Sequence, residues 1–314
     1  MEALVKADPP LIQEAWYRIQ GWYKAAVDRT PPPARVTLKR ITAERVALYS
    51  RVPHPGDSIP VEIEPFEVEE KVPDEGEIEW AVKLLLNNRS GGASRMRAEH
   101  LKGWLAAARR GEKGETADKE GGGQEDTREG ARNWARVVEL VQTAFRDGDL
   151  AEEATWQAVV LIHKGKKDHQ VIGLMEVMWK VVAAILNRCF IASITYHDAL
   201  HGFSADRGTG TATPEAKLLQ QLAALREEDL YVIFLDLTKA YDALDRSRCL
   251  EILEDYGVGP NSRRLLTNYW RRLTMVSRAG GYYGTALRGE RGVTQGKPLS
   301  STIFNVVVDE VVRH

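Results

Sequence analysis

The sequence reads as a helix-rich chain with a few short strands, and three observations carry that reading. Several segments repeat apolar residues at i, i+3 and i+4, the spacing of a helix with one buried face. Two short apolar runs, "WQAVVLIH" and "LYVIFLDL", read as strands, the second as one covered on both faces. Proline- and glycine-rich stretches separate these pieces. At 314 residues with 43% hydrophobic content, the chain can build two domains or one large one around a sizeable core.

The elements follow in order. "LIQEAWYRIQGWYKAAVDR" is helical in spacing and stops at "TPPPAR", and a shorter helix, "TAERVALYSRV", ends at "PHPGDSIP". Residues 57–73 are acidic and proline-dotted, an extended connector, so residues 1–74 read as a helical, proline-rich extension or linker. Asp74 with Glu77 has capping-box spacing before "EIEWAVKLLLNN", where Ile78, Ala81, Val82 and Leu85 share a face. "SGGASRMRAEHLKGWL" is a Gly-Gly loop opening a further helix. Residues 109–130 lack periodicity and apolar content, as a disordered insert does. Trp134, Val137, Val138, Val141 and Phe145 line the next helix, which Gly148 ends. After the "WQAVVLIH" strand and its lysine-rich turn, "GLMEVMWKVVAAILNRCF" carries a core stripe of Leu174, Val177, Met178, Val181, Val182, Ile185 and Leu186. "PEAKLLQQLAALREED" reads as a helix with proline in its first turn, and "RSRCLEILEDYG" as another.

Charge is uneven. Residues 57–80 hold ten acids against one lysine, whereas residues 262–314 hold nine Lys and Arg against three acids, a possible footprint for a polyanion. The two cysteines, Cys189 and Cys249, have neither disulfide-framework nor zinc-site spacing. No signal-peptide core or membrane-length apolar run occurs, so an intracellular location, cytoplasm or nucleus, is expected.

Asp236 stands near the end of "LYVIFLDL" and before a helix. A carboxylate there can hold Mg²⁺ or hydrogen-bond the local turn with Asp242, and this stretch alone leaves both open. Downstream, "RGVTQGKPLSSTIFNVVVDEVV" runs from an Arg-Gly-x-x-Gln-Gly loop through Pro298 into a helix bearing Ile303, Phe304, Val307 and Val311. Glycines there let backbone approach a ligand closely.

The order of these pieces resembles the reverse transcriptases of non-LTR (LINE-like) retrotransposons over roughly residues 75–314. "FLDLTKAYD" is similar to polymerase motif A and "RGVTQGKPLSSTIFN" to motif B. "SGGASRMRAEHLKGWL" and "VVLIHKGKK…IGLMEVMWKVV" are similar to the fingers segments before them. The resemblance implies an α+β, helix-rich right-hand polymerase fold with fingers over 75–228 and a partial palm over 229–314. It makes Asp236 the catalytic, metal-binding aspartate, assisted by the Leu237 carbonyl, with Mg²⁺ as cofactor. Tyr241 becomes the aromatic that excludes a ribose 2′-OH. Gln295 and Gly296 pack on the incoming nucleotide, and Lys164 lies in the triphosphate-binding loop. Arg89, Arg95 and Arg97 are placed to contact template phosphates, which position a strand without reading its sequence. RNA template, DNA primer and dNTP are the implied partners.

The departures matter as much. Phosphoryl transfer uses two metals about 3.5–4 Å apart, which one aspartate cannot hold alone. The family's aromatic-Ala-Asp-Asp hairpin follows the motif B helix, and this chain stops at His314, so hairpin and thumb are expected to be missing and the chain inactive alone. Gln170 stands about where the family has a triphosphate-binding arginine, and Lys297 and Ser301 replace a small or acidic residue and a proline. The alternative is a non-catalytic nucleic-acid-binding remnant or scaffold. An aspartyl phosphatase would want a second Asp at position 238, which is a threonine.

Overall fold

The computed structural model describes residues 71–313, except positions 90, 93, 113–122, 164–168, 205, 233, 235, 236, 238, 239, 280, 281, 290 and 294–297. The expected N-terminal helices, the middle of the 109–130 insert, and Asp236, Gln295, Gly296 and Lys164 therefore lie outside the described residues.

Helix α1 (Glu75–Leu84) starts on the expected capping box. Asp74 accepts from the Glu77 N–H at 2.8 Å and Glu77 accepts from the Asp74 N–H at 3.1 Å. Its buried face is Ile78, Ala81 and Val82, with Leu85 half-buried past the end. Asp74→Ala is expected to cost about 1 kcal/mol in urea unfolding, and an unchanged midpoint would mean that the cap contributes nothing. Helices α2 (Ala98–Glu112) and α3 (Gly123–Asp147) pack on each other, and the predicted α3 face holds: Trp134, Val137, Val141 and Phe145 are buried. Trp134 Nε1 also donates to Glu75 at 2.8 Å, fixing α3 to the start of α1.

A single 3₁₀ turn (Glu152–Thr155) leads into a four-stranded mixed sheet of order β2-β1-β3-β4. Strands β1 (Trp156–His163) and β2 (His169–Met175) are antiparallel, with Ala158 opposite Leu174. Strand β3 (Thr274–Ala279) lies parallel to β1, and β4 (Tyr282–Arg288) runs antiparallel to β3. Helices α4 (Val177–Ser193), α5 (Thr209–Arg226), α6 (Ala240–Ala243, one turn), α7 (Arg246–Asp255), α8 (Pro260–Arg272) and α9 (Pro298–Arg313) complete the order. One core runs from Ile78 in α1 to Val306 in α9, with Val181, Val182, Leu186, Leu253 and Leu265 at its centre. The result is a helix-rich α+β fold with a small mixed sheet. Among the described residues no helix is long and apolar enough to cross a membrane. Cys189 is exposed and Cys249 buried, both as free thiols.

Four expectations change. The helix expected from Gly173 begins at Val177, because residues 169–175 pair with β1 as β2, and Leu174 sits on that strand. Pairing with β1 supplies backbone hydrogen bonds along one edge of this segment, and local propensity yields to it. The insert expected over 109–130 is helical over 109–112 and 123–130. Arg109 anchors the end of α2 by donating to Glu112 at 2.8 Å and to Glu79, and buried Gly130 and Trp134 seat α3. Helix α5 starts at Thr209, five residues earlier than expected, so Pro214 lies inside it. In α9 the buried residues include Leu299, Ile303 and Val306, whereas Val311 is exposed.

The largest departure concerns "LYVIFLDL". None of the described residues of 230–237 pairs in the sheet, and Tyr231 and Phe234 are 85% and 92% exposed. Apolar, β-branched composition favours a strand, but a strand exists only against a partner, and the four described strands of the sheet include none of the described residues of this run. Helix α5 before it has no buried residue, and Leu218, Leu219, Leu222 and Leu225 face solvent.

Candidate functional site

Two segments that the sequence places 50 residues apart meet backbone to backbone. "AYDALD" forms the single turn α6, and Asp245 then caps α7 by accepting from the Ser247 N–H at 2.8 Å and the Arg248 N–H at 3.1 Å. Across this turn lies the loop that leads to Gln295. Its Gly292 N–H donates to Leu244 O at 2.9 Å, and its Val293 N–H donates to Tyr241 O at 2.8 Å. Gly292 has φ +74, and a Cβ there would come within 2.7 Å of Asp242 O and 2.8 Å of Tyr241 O. Only glycine closes this crossing without strain.

Arg246 fastens the loop from the other side. This residue is 3% exposed, and its guanidinium donates to the carbonyls of Gly292 (2.8 Å), Gly289 (2.5 Å), Arg291 (3.1 Å) and Trp270 (3.2 Å). It also lies 5.6 Å from the Trp270 ring centroid. The planar five-donor fork of arginine suits a set of diverging carbonyls, which an ammonium cannot match.

Tyr241 is the sequence-predicted residue that this crossing positions. Its half-buried ring stacks on Phe304 of α9, with centroids 5.0 Å apart and planes at 24°, and its hydroxyl is 3.4 Å from Ser301 Oγ. Leu237, in contrast, is 61% exposed on the unpaired run.

The arginines of the Gly-Gly loop sit elsewhere. A cavity of about 590 Å³ opens between α1, the loop 86–97, the end of β2, α4 and the first residues of α9. Arg89 and Arg97 line it, and Arg95, exposed with φ +62, does not. The loop is clasped by Glu176, which is 4% exposed: its Oε1 accepts from the Ser94 N–H at 2.8 Å and its Oε2 from the Ser94 hydroxyl. A side chain at Gly92 would overlap that carboxylate. Half-buried Lys180 also lines the cavity, and burial pulls its ammonium below the usual lysine range despite the nearby Glu176 charge.

Sequence reasoning missed Arg246, Glu176 and Lys180. Arginine, glutamate and lysine are usually exposed, so only their burial marks them, and burial is not written locally. Among the described residues no three His, Cys, Asp or Glu side chains converge as metal ligands.

A family model described as reverse transcriptase (RNA-dependent DNA polymerase) matches residues 162–314. The chain is also similar to a retrovirus-related Pol polyprotein from type-1 retrotransposable element R2 of Popillia japonica, 26% identical over 170 residues (53% of this chain, 22% of that protein). It is 25% identical over 150 residues to the Pol polyprotein from type-2 retrotransposable element R2DM of Drosophila melanogaster (48% of this chain, 14% of that protein). A Pol polyprotein from a type-1 R2 element of Nasonia vitripennis is 33% identical over 95 residues (29% and 9%). The matched residues thus span about a fifth or less of the curated relatives' length.

Proposed function

We propose that this chain, which carries at residues 162–314 a reverse transcriptase domain of the non-LTR retrotransposon kind, contributes the template-binding and nucleotide-binding part of an RNA-directed DNA polymerase. The crossing of residues 240–244 with 289–293 supports this most, because it joins the motif A and motif B segments through Tyr241, Val293 and Phe304. In this assignment residues 75–228 act as fingers and 229–314 as part of a palm. The ring of Tyr241, held against α9, stands against a ribose 2′-OH. Gln295 and Gly296, three and four residues after the Arg246-bound Gly292 in the sequence, contact the incoming nucleotide. Lys164 neutralises triphosphate charge, and Arg89, Arg95 and Arg97 meet template phosphates.

Asp236 and the Leu237 carbonyl are hard oxygen donors of the kind that Mg²⁺ takes. When bound, such ions stabilise the attacking and leaving oxygens of phosphoryl transfer. Two ions need more carboxylates than Asp236 supplies, and an aromatic-Ala-Asp-Asp sequence does not occur in these 314 residues. The proposed workplace is the cytoplasm or nucleus, where RNA template, DNA primer and dNTP meet.

The test is primer extension on an RNA template with Mg²⁺ and dNTPs. The expected result is no product from the chain alone, and product when it is fused to the segment of an R2 relative bearing the hairpin, with Asp236→Ala abolishing it. Extension by the chain alone would overturn the proposed inactivity. Extension by the fusion that survives Asp236→Ala would remove Asp236 from the site.

A further inference from the structure

We propose that the cavity beside α4 takes one unpaired base of a bound single-stranded RNA, with the flanking phosphates on Arg89 and Arg97 at its rim. The inference deepens the polymerase assignment above and rests on it. Three observations carry it. The cavity, about 590 Å³, has the volume of a small-molecule site, far more than contact with a bare phosphate needs. Its walls are mostly apolar, including Leu85, Leu86, Met96, Val177, Ala184 and Leu299. Among the described residues its charged lining groups are cations: Arg89 and Arg97 from the loop and Lys180 from α4. Two carboxylates lie just outside the lining: Glu176 has both oxygens engaged by Ser94, which holds the loop in place, and Glu99 accepts from the Asn88 N–H.

An apolar chamber with a cationic rim complements a nucleotide, whose base has a π-face and whose phosphate is anionic. A base inside a duplex has its faces covered by its neighbours, so the occupant is an unstacked, single-stranded one. Among the described residues no aromatic side chain lines the cavity, so the base is held by aliphatic burial, and Asn88 is an uncharged polar side chain at its edge. Tolerance of any base with a preference for the larger purines follows.

The experiment titrates the full chain with a labelled oligoadenylate, and with the same strand carrying abasic sites, over a range of salt. The expected result is affinity about tenfold weaker for the abasic strand, with the slope of log affinity against log salt unchanged. Ala184→Trp, which fills the cavity, should weaken the oligoadenylate to a similar extent and leave the slope alone. Arg97→Ala should reduce the slope by about one. Equal affinity for intact and abasic strands with a normal slope would overturn base insertion while leaving nucleic-acid binding intact. Binding that is absent or flat with salt would remove both the inference and the assignment beneath it. Because the abasic comparison uses the unaltered protein, misfolding of a variant cannot decide the outcome.

Discussion

Arg246→Ala is expected to destabilise the fold by about 3–4 kcal/mol, with the loss concentrated in the loop before α9. The guanidinium serves four carbonyls, those of Trp270, Gly289, Arg291 and Gly292, in a site that is nearly closed to water. Removing it takes this donor from all four carbonyls, of which Trp270 O keeps the Leu273 N–H, and opens a void beside Trp270. Arg246→Lys is expected to recover only part, because an ammonium cannot present the planar fork. Hydrogen exchange gives the local readout: the Gly292 and Val293 amides, which donate to Leu244 and Tyr241, should lose protection before the rest of the core. If both amides stay protected in Arg246→Ala, the loop is held by Gly292 and its own backbone bonds instead.

Asp309→Ala is expected to cost a similar amount, about 3–5 kcal/mol, for a different reason. The Asp309 side chain is fully buried in α9 and accepts from three donors: the His197 N–H at 2.5 Å, the Tyr256 hydroxyl at 2.5 Å and, one turn on in the same helix, Arg313 Nε at 2.7 Å. Burial alone would raise its carboxyl, but the bonds from Tyr256, Arg313 and the His197 amide outweigh it and hold the group below its ordinary value of 3.8. A native value below the unfolded one means that the contribution is complete above the ordinary value and is lost as pH falls through the depressed native value. The stability gap between wild type and Asp309→Asn, read from urea midpoints, should therefore be widest near neutral pH and shrink below about pH 4. A gap that does not change with pH would mean that the carboxylate is not ionised in the native state.

These two residues also mark where sequence reading stops. Asp309 could be seen in "NVVVDEVV" as a polar residue among valines, but nothing local says that Tyr256 and His197 converge on it. Arg246 follows Asp245, whose role as the cap of α7 is a local matter of backbone geometry. The same stretch, "LDRS", therefore holds one residue legible from its neighbours and one legible only from its burial.

The sequence by itself determined several helical faces and the start of α1: the Asp74–Glu77 capping box, the stripe from Trp134 to Phe145, and the core of α4 from Val177 to Leu186. It also determined the order of the motif segments that place the chain beside the R2 relatives. Helix contacts join residues three and four apart, so their pattern is written in adjacent positions. Only the tertiary structure decided that residues 169–175 pair as β2, that the described residues of 230–237 stand exposed, and that Arg246 and Glu176 are buried under loops. Strand pairing and the burial of charge depend on partners scores of residues away, and no local pattern specifies where those partners come to rest.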